Sequence, residues 1–181
     1  AAWAFAESLE GDDAAMNKAA EAGKKRFTGF ELPGRTLGVI GLGAVGVNIA
    51  NAAAGLGMKV IGYDPKITVR SAWNLESNVT RAQTVDEVMA ASDMVTLHVP
   101  EVEETRGMIN GARLAAARDG QVLLNFARAG VVDDEAIVKA LDEGRLGSYI
   151  CDFPAAALKG HDRVVALPHI GASTNEAQEN C

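Results

Sequence analysis

The chain has 181 residues, of which 48% are hydrophobic and 23% are charged, and this is the composition of a globular protein rather than a disordered or fibrous one. The net charge of −7 is accompanied by no basic stripe, so we expect no nucleic-acid partner, and no apolar run approaches the roughly 20 residues that a membrane span needs. No cysteine–histidine spacing fits a metal site, and Cys151 and Cys181 form no disulfide framework, so we expect a cytosolic protein without a metal.

The first part of the chain, residues 1–26, is rich in alanine and has a helical pattern. Gly11 interrupts this pattern and Asp12 restarts it, because aspartate favours the N-terminus of a helix. Turn residues follow, and the pattern then changes. We therefore expect a helical segment over residues 1–26 and a separate folded domain over residues 27–181.

Both ends of the sequence indicate a longer protein. The chain lacks an initiator methionine and begins directly in a helical pattern. Near the other end, Ser173 and Glu176 form a capping box that announces a helix for which few residues remain. We therefore expect elements before residue 1 and after residue 181.

Short apolar runs rich in β-branched residues recur through the second part of the chain and predict strands. Six strands are predicted, at residues 36–41, 58–64, 94–99, 121–126, 148–153 and 164–167. Helical patterns separate most of them, at residues 44–57, 84–91, 110–118 and 133–143. Because apolar strands alternate with helices, we expect an α/β fold, a doubly wound parallel sheet of the Rossmann type with six to seven strands and helices on both faces. Such a sheet binds its ligands at the carboxyl ends of the strands.

The sequence "GLGAVG" places Gly41, Gly43 and Gly46 in the spacing of a dinucleotide-binding turn. The spacing alone is a weak signal, but here the glycines follow a predicted strand and open a predicted helix. Gly41 permits the tight turn, Gly43 lets a diphosphate approach the backbone, and Gly46 lets helix and strand pack closely. The free N–H groups of the helix N-terminus favour that anion.

Asp64 stands at the end of the second predicted strand, where a carboxylate accepts hydrogen bonds from ribose hydroxyls and repels a 2′-phosphate. With the glycine turn, it predicts NAD as the cofactor and favours NAD over NADP, although Lys66 nearby weakens this discrimination. S-adenosylmethionine is the alternative ligand, because its sites also combine a glycine turn with an acidic second strand. That alternative gives no reason for the residues at the later strand ends.

Two ionisable residues follow later strands at the same edge of the predicted sheet. Arg128, in "NFARAG", comes just after the fourth strand, and a guanidinium there can hold a carboxylate through two parallel hydrogen bonds and polarise a carbonyl. His169, in "VVALPHIGAST", ends the last strand, and imidazole is the side chain that most often transfers protons near neutral pH.

Three motifs now coincide: "GLGAVG" with "GYDP", then "NFARAGVVDDEAIVKALDEG", then "PHIGASTNEAQEN". Together, over residues 25–181, they resemble the NAD-binding domain of the D-isomer-specific 2-hydroxyacid dehydrogenases, and "GAST-x-EAQ" is most similar to the branch that acts on D-3-phosphoglycerate in serine biosynthesis. The resemblance implies that Arg128 binds the substrate carboxylate and carbonyl, that His169 is the acid/base, and that Asp152 contacts the nicotinamide amide. With the glycine turn and Asp64, the residues expected at the cofactor are Ala44, Val45, His98, Val99, Pro100, Phe126, Ala127, Arg128, Asp152, His169, Gly171 and Ala172.

The sequence departs from the family pattern at two positions. Ala129 stands where the family usually has glycine, which is tolerable unless that position needs a positive φ. Ala157 stands where the family commonly carries a glutamate that orients the histidine, which puts catalytic efficiency in doubt but not the proton-transfer role. We expect Asp162, or a group outside this sequence, to substitute for that glutamate.

The resemblance also implies an oxidoreductase that acts on a small 2-hydroxy or 2-oxo acid, with residues 1–26 linking two domains and helping to pair subunits in a homodimer or higher homo-oligomer. Because the family's first domain is not in this sequence, we expect the isolated chain to bind NAD and to turn over little. Three alternatives stay open: a different 2-hydroxyacid substrate, a non-catalytic interaction module that senses NAD, and a methyltransferase.

Overall fold

The computed structural model describes residues 2–171 and 173–175. Its contacts divide the chain into two compact units, residues 1–31 and 32–181. The first unit contains α1 (Ala2–Glu7), α2 (Asp13–Gly23) and a 3₁₀ turn (Lys24–Phe27). Each unit is described by itself below.

Aromatic packing holds the first unit together. The rings of Phe5 and Phe27 lie 5.2 Å apart, and the guanidinium of Arg26 lies 5.4 Å from the Phe5 ring and 5.7 Å from the Phe27 ring. The predicted restart of the helix is confirmed, because the Asp12 side chain accepts a hydrogen bond of 2.8 Å from the N–H of Ala15. This carboxylate satisfies one of the N–H groups that the first turn of α2 leaves without a helical partner.

The second unit is built on one parallel sheet of seven strands in the order β3-β2-β1-β4-β5-β6-β7. The strands are β1 (Thr36–Ile40), β2 (Lys59–Tyr63), β3 (Thr80–Arg81), β4 (Met94–Leu97), β5 (Gln121–Asn125), β6 (Leu146–Cys151) and β7 (Val164–Ala166). The chain leaves β1 toward one edge of the sheet and returns beside it with β4, which opens a crevice at the carboxyl ends of these two strands. The predicted fold class is confirmed.

Helices cover both faces of this sheet. They are α3 (Ala44–Gly55), α4 (Val69–Trp73), α5 (Val85–Ala91), α6 (Gly111–Ala115) and α7 (Asp134–Asp142). Leu37 and Val39 of β1 pack in one buried cluster with α3, whereas Ile40 packs in a second cluster with α5, α6 and α7. Since neighbouring strand residues point to opposite faces, the two clusters are the two layers of the core.

Four of the six predicted strands match the structure to within one residue at each end, and the strand predicted at 94–99 ends two residues early, at Leu97. The strand predicted at 148–153 was placed two residues too late, since β6 runs from Leu146 to Cys151. Its pairing with β5 skips Gly147, since Gln121 pairs with Leu146 while Val122 pairs with Ser148. A bulge of this kind breaks the periodic pattern from which strands are predicted.

The extent of one predicted helix was wrong, and two short elements were missed. The helix predicted at 110–118 ends at Ala115, because a turn leads from there into β5. Two elements between β2 and α5 were not predicted: the helix α4 buries no residue, and both residues of the edge strand β3 are exposed. An element that buries nothing has no hydrophobic period, so sequence patterns do not reveal it.

Candidate active site

The glycine turn connects β1 to α3, and its shape requires glycine at two of three positions. Gly41 has a φ of +94°, and a Cβ there would lie 2.6 Å from the carbonyl oxygen of His98. A Cβ on Gly46 would overlap the carbonyl oxygen of Gly41. At Gly43, by contrast, no atom lies within 4 Å of the Cβ position. The turn is therefore tightly packed toward the sheet and open toward the crevice, which fits an approaching diphosphate.

The helix that begins here has no side-chain cap. Gly43 is the N-cap of α3 and provides no side chain to accept a hydrogen bond from the first turn. Ala44 and Val45 follow it on the exposed surface, and Val45 is 61% exposed. N–H groups in the first turn of a helix have no acceptor within the helix and carry partial positive charge. These donors are the expected partners of the oxygens of a diphosphate.

Asp64 is fixed by hydrogen bonds to backbone on both sides. Its Oδ2 accepts from the N–H of Leu42 at 2.8 Å, within the glycine turn, and its Oδ1 accepts from the N–H of Lys66 at 2.8 Å. Each oxygen retains a free lone pair that a ribose hydroxyl can use. The carboxylate thus joins the end of β2 to the glycine turn, which explains the spacing that the sequence shows.

A cavity of about 520 Å³ opens beside this carboxylate, bounded by the glycine turn, the end of β2 and the segment after β4. It is lined by six of the residues predicted at the cofactor, Gly41, Gly43, Asp64, His98, Val99 and Pro100. Sequence analysis missed the remaining lining residues, among them Tyr63, Val102, Thr105, Met108 and Arg113. Three of them, Val102, Thr105 and Met108, could have been predicted, because they lie within eight residues of the predicted "HVP" stretch. The cavity suits the adenosine end of a dinucleotide.

His98 is half-buried in the wall of this cavity. Its Nε2 lies 2.9 Å from Oγ1 of Thr96. Burial lowers the pKa of His98 below the usual value, because an imidazolium ion loses its hydration there. The ring is therefore neutral at physiological pH and adds no charge to the cavity.

The loop after β5 presents Arg128. The buried side chain of Asn125 shapes this loop, because its Oδ1 accepts from the N–H of Ala127 at 3.1 Å and its Nδ2 donates to the carbonyl of Arg128 at 3.0 Å. The guanidinium donates to the carbonyl of Ala127 at 2.7 Å. In the described parts of the chain, no carboxylate lies within 4.0 Å of this guanidinium, so it is available to an anionic ligand.

The two other predicted residues of this loop, Phe126 and Ala127, differ in their exposure to solvent. Phe126 is 40% exposed at the carboxyl edge, whereas Ala127 is 5% exposed and belongs to the hydrophobic core. The methyl group of Ala127 therefore cannot touch a ligand in the crevice, and its contact with a cofactor would be limited to backbone atoms.

Asp152 and His169 lie at the ends of β6 and β7. Asp152 is 6% exposed, and its Oδ2 lies 3.6 Å from the position that a Cβ of Gly171 would take. The exposed ring of His169 meets the ring of Phe153 edge to face, with the ring centres 5.0 Å apart. These contacts bring the segment 169–171 beside the end of β6. Ala172 lies outside the described residues.

The backbone of His169 adopts a left-handed conformation with a φ of +54°, and no other non-glycine residue in the described ranges has a positive φ. Such a conformation is uncommon for a residue with a side chain and persists where the surrounding structure imposes it. Neither the sequence pattern nor the resemblance predicted it.

The structure does not bring Asp162 to His169. No hydrogen bond or ion pair joins these residues, and within the described ranges no carboxylate lies within 4.0 Å of the His169 ring nitrogens. Asp162 is exposed in the turn before β7. The histidine that has a carboxylate partner is His161, whose Nε2 lies 3.3 Å from Oδ1 of Asp142.

Two kinds of site or segment are absent from the described residues. No group of three or more histidine, cysteine, aspartate or glutamate side chains is arranged there to hold a metal ion. No helix in the same ranges is long and apolar enough to cross a bilayer.

Comparison with known proteins matches residues 2–171 to the D-isomer specific 2-hydroxyacid dehydrogenase, NAD binding domain. D-3-phosphoglycerate dehydrogenase of Bacillus subtilis is 37% identical over 169 residues, which cover 90% of this chain and 32% of that protein. The chain spans about a third of the length of the curated relatives it matches.

Solved structures agree with the fold. The match to D-mandelate dehydrogenase of Rhodotorula graminis has a TM-score of 0.79 and 28% identity, over 98% of this chain and 53% of that chain. The match to D-lactate dehydrogenase from Aquifex aeolicus, which was solved with NAD and lactic acid, has a TM-score of 0.75 and 27% identity, over 99% of this chain and 62% of that chain.

Proposed function

Because the chain belongs to the D-isomer specific 2-hydroxyacid dehydrogenase family as an NAD-binding domain, we propose that it is the cofactor-binding part of an enzyme that oxidises a 2-hydroxy acid. One observation carries the proposal. Arg128 follows β5, Asp152 follows β6 and His169 follows β7, so three neighbouring strands present these side chains at the edge that also bears the glycine turn.

The residues at this edge fit the parts of NAD in order. The N–H groups of Ala44 and Val45 hold the diphosphate, and Asp64 holds the adenosine ribose beside the cavity of about 520 Å³. Asp152 orients the nicotinamide amide. The same carboxylate at position 64 favours NAD over NADP, since it repels a 2′-phosphate, and the ammonium of Lys66 lies 3.9 Å from a carboxylate oxygen of Glu104, which offsets its positive charge.

The chemistry divides between two side chains. Bound NAD supplies a hydride acceptor at its nicotinamide ring. Arg128 holds the substrate carboxylate through parallel hydrogen bonds and directs C2 of the hydroxy acid toward that acceptor. As the hydride leaves C2, the imidazole of His169 takes the proton of the C2 hydroxyl, and in the reverse direction it returns that proton to the carbonyl oxygen. Positioned proton transfer of this kind contributes about 10²–10⁴-fold to the rate.

D-3-phosphoglycerate is the substrate that we propose, because the curated relatives of 37% and 38% identity carry the name D-3-phosphoglycerate dehydrogenase. The solved relatives of 27–28% identity are named for mandelate and lactate, which are the competing substrates. We expect the groups that recognise the phosphate to lie outside this chain, since it spans about a third of the length of the relatives so named. The proposal includes a homodimer in the cytosol, in which residues 1–26 link the two domains and help to pair the subunits.

A non-catalytic module that responds to NAD is the second candidate. It is favoured by the position of His169, which has no carboxylate within 4.0 Å in the described part of the chain to fix its tautomer. The guanidinium of Arg128, which has no carboxylate within 4.0 Å among the described residues, favours the enzyme instead. A module that only senses NAD has no need for a carboxylate-binding group at the nicotinamide end.

The full-length protein separates these candidates in an assay of NADH formation with D-3-phosphoglycerate, D-lactate and D-mandelate. We expect turnover that is fastest with D-3-phosphoglycerate. His169→Asn should lower kcat by about 10²–10⁴-fold and leave the dissociation constant of NAD unchanged, because an amide cannot take the proton. Arg128→Gln is the companion variant and should mainly raise KM for the acid. A His169→Asn enzyme with the kcat of the wild type would refute the mechanism.

A further inference from the structure

Two loops at the carboxyl edge of the sheet run side by side. One follows β4 and covers residues 101–109, and the other follows β5 and carries Arg128. The N–H of Gly107 donates to the carbonyl of Gly130 at 2.8 Å, and the N–H of Ile109 donates to the carbonyl of Val131 at 3.0 Å. The position of the arginine loop therefore depends on the loop after β4.

Glu101 makes the side-chain contact between these loops. Its Oε2 accepts a hydrogen bond of 3.2 Å from the N–H of Gly130. A Cβ on Gly130 would lie 2.5 Å from Cδ of Glu101, so the carboxylate occupies the space where any other residue at position 130 would have a side chain. The glycine at 130 and the glutamate at 101 are therefore complementary in shape as well as in hydrogen bonding.

The charge of Glu101 is offset within its own loop. Its Oε1 lies 3.1 Å from Nη2 of Arg106, and the Glu101 side chain is 30% exposed. Because Arg106 takes this charge, Glu101 does not need the guanidinium of Arg128 as a partner. Arg128 is therefore available to an anionic ligand, although the carboxylate of Glu101 contacts Gly130, two positions further along the chain.

The arginine loop has an inner and an outer support. Asn125 holds the carbonyl of Arg128 from inside the sheet at 3.0 Å, and Glu101 holds the N–H of Gly130 from outside. Gly130 lies within a single 3₁₀ turn, Ala129–Val131, and so short a turn has little stability of its own. Glu101 therefore holds this turn at the N–H of Gly130, beside the backbone hydrogen bonds from Gly107 and Ile109.

We propose that Glu101 is a positioning residue that, through the N–H of Gly130, fixes the guanidinium of Arg128 where it binds the substrate carboxylate. This inference rests on the proposed role of Arg128. Displacement of a substrate-binding group weakens the ground state and the transition state alike, which raises KM and leaves kcat nearly unchanged. The dissociation constant of NAD should not change, since Glu101 is not among the residues that line the nucleotide cavity.

The experiment compares Glu101→Leu with Glu101→Gln in the full-length protein. Glutamine keeps a carbonyl oxygen that accepts from Gly130, so its KM for the 2-hydroxy acid should stay close to that of the wild type. Leucine has no acceptor for the N–H of Gly130, so Arg128 should be displaced and this KM should rise about tenfold, the factor expected when one hydrogen bond between the guanidinium and the substrate carboxylate is lost. The matched control is Glu103→Leu, because Glu103 lies exposed in the same loop and makes no hydrogen bond or ion pair with any described residue.

Every outcome of this experiment either supports the inference about Glu101 or overturns it. A KM in Glu101→Leu equal to that of Glu103→Leu overturns the inference, and so does a Glu101→Gln variant as impaired as Glu101→Leu. A parallel loss of NAD affinity in Glu101→Leu assigns Glu101 a general structural role and also overturns it. A wild-type protein that oxidises no 2-hydroxy acid with NAD refutes the proposed function, and the inference with it. Turnover in the wild type with no change in Glu101→Leu refutes the inference alone.

Discussion

Burial gives His98 an effect on the pH dependence of folding. The half-buried ring has a pKa below its usual value, so the unfolded chain binds a proton at this residue under conditions where the folded chain does not. The free energy of unfolding should therefore fall as the pH is lowered from about 6.5 to the folded pKa, with a slope of at most about 1.4 kcal/mol per pH unit. Above this window the contribution of His98 is constant.

His98→Gln tests this expectation, because glutamine keeps a polar group near Thr96 and does not titrate. Urea unfolding at several values between about pH 7 and pH 5 should show a shallower loss of stability in the variant than in the wild type. Between about pH 7.5 and pH 9, where the histidine is neutral in both states, the two proteins should differ by a constant amount. Parallel curves over the acidic range would assign the pH dependence to other groups.

Single residues of the site were predictable where a local motif carries them. The glycine turn, Asp64 and Arg128 lie in short patterns that impose their own geometry, and the structure places each at the carboxyl edge. The contacts that support them were not predictable, because Glu101 meets Gly130 across 29 positions of sequence and Asn125 meets Tyr149 across 24. Contacts between distant positions follow from the packing of the loops and strands, which no local pattern encodes.

At the scale of single elements, the cap of α5 offers a sharp test of local stability. Oγ1 of Thr84 accepts a hydrogen bond from the N–H of Glu87 at 3.1 Å. The helix that it starts buries Val85, Val88 and Met89, so fraying would expose core residues. Thr84→Ala should therefore lower the free energy of unfolding by about 1 kcal/mol, measured by urea denaturation.

The matched control is Thr68→Ala at the cap of α4. Oγ1 of Thr68 accepts from the N–H of Ser71 at 3.1 Å, which is the same bond length, but α4 buries no residue. Its first turn can fray at little cost, so this variant should lose less than half as much stability as Thr84→Ala. Equal losses in the two variants would show that burial behind the cap does not set its contribution.

The same contrast explains which elements sequence analysis found. Strands β1, β4 and β5 lie in the middle of the sheet, and their buried residues form apolar runs that mark them in the sequence. The helix α4 and the strand β3 are exposed, and their composition does not differ from that of a loop. Burial is thus the property that a sequence pattern records, and elements that bury nothing form through backbone pairing and caps alone.

Across the whole sheet, the site divides between β4 and β5. Strands β1, β2 and β4 and the segment after β4 surround the cavity beside Asp64, whereas β5, β6 and β7 present Arg128, Asp152 and His169. The proposed function assigns the first group to the adenosine end of NAD and the second group to the nicotinamide end. Substitutions in each group of residues should therefore weaken the binding of a different part of the cofactor.

ADP-ribose, which lacks the nicotinamide ring, tests this division by calorimetric titration. Asp64→Ala should weaken ADP-ribose and NAD by the same factor, about tenfold for one lost pair of hydrogen bonds to a charged group, because both ligands carry the ribose. Asp152→Ala should weaken NAD and leave ADP-ribose unchanged, since its carboxylate faces the segment 169–171 and lies outside the cavity lining. Each variant is the control for the other. If Asp152→Ala weakened both ligands equally, the carboxylate would support the sheet as a whole rather than the nicotinamide end.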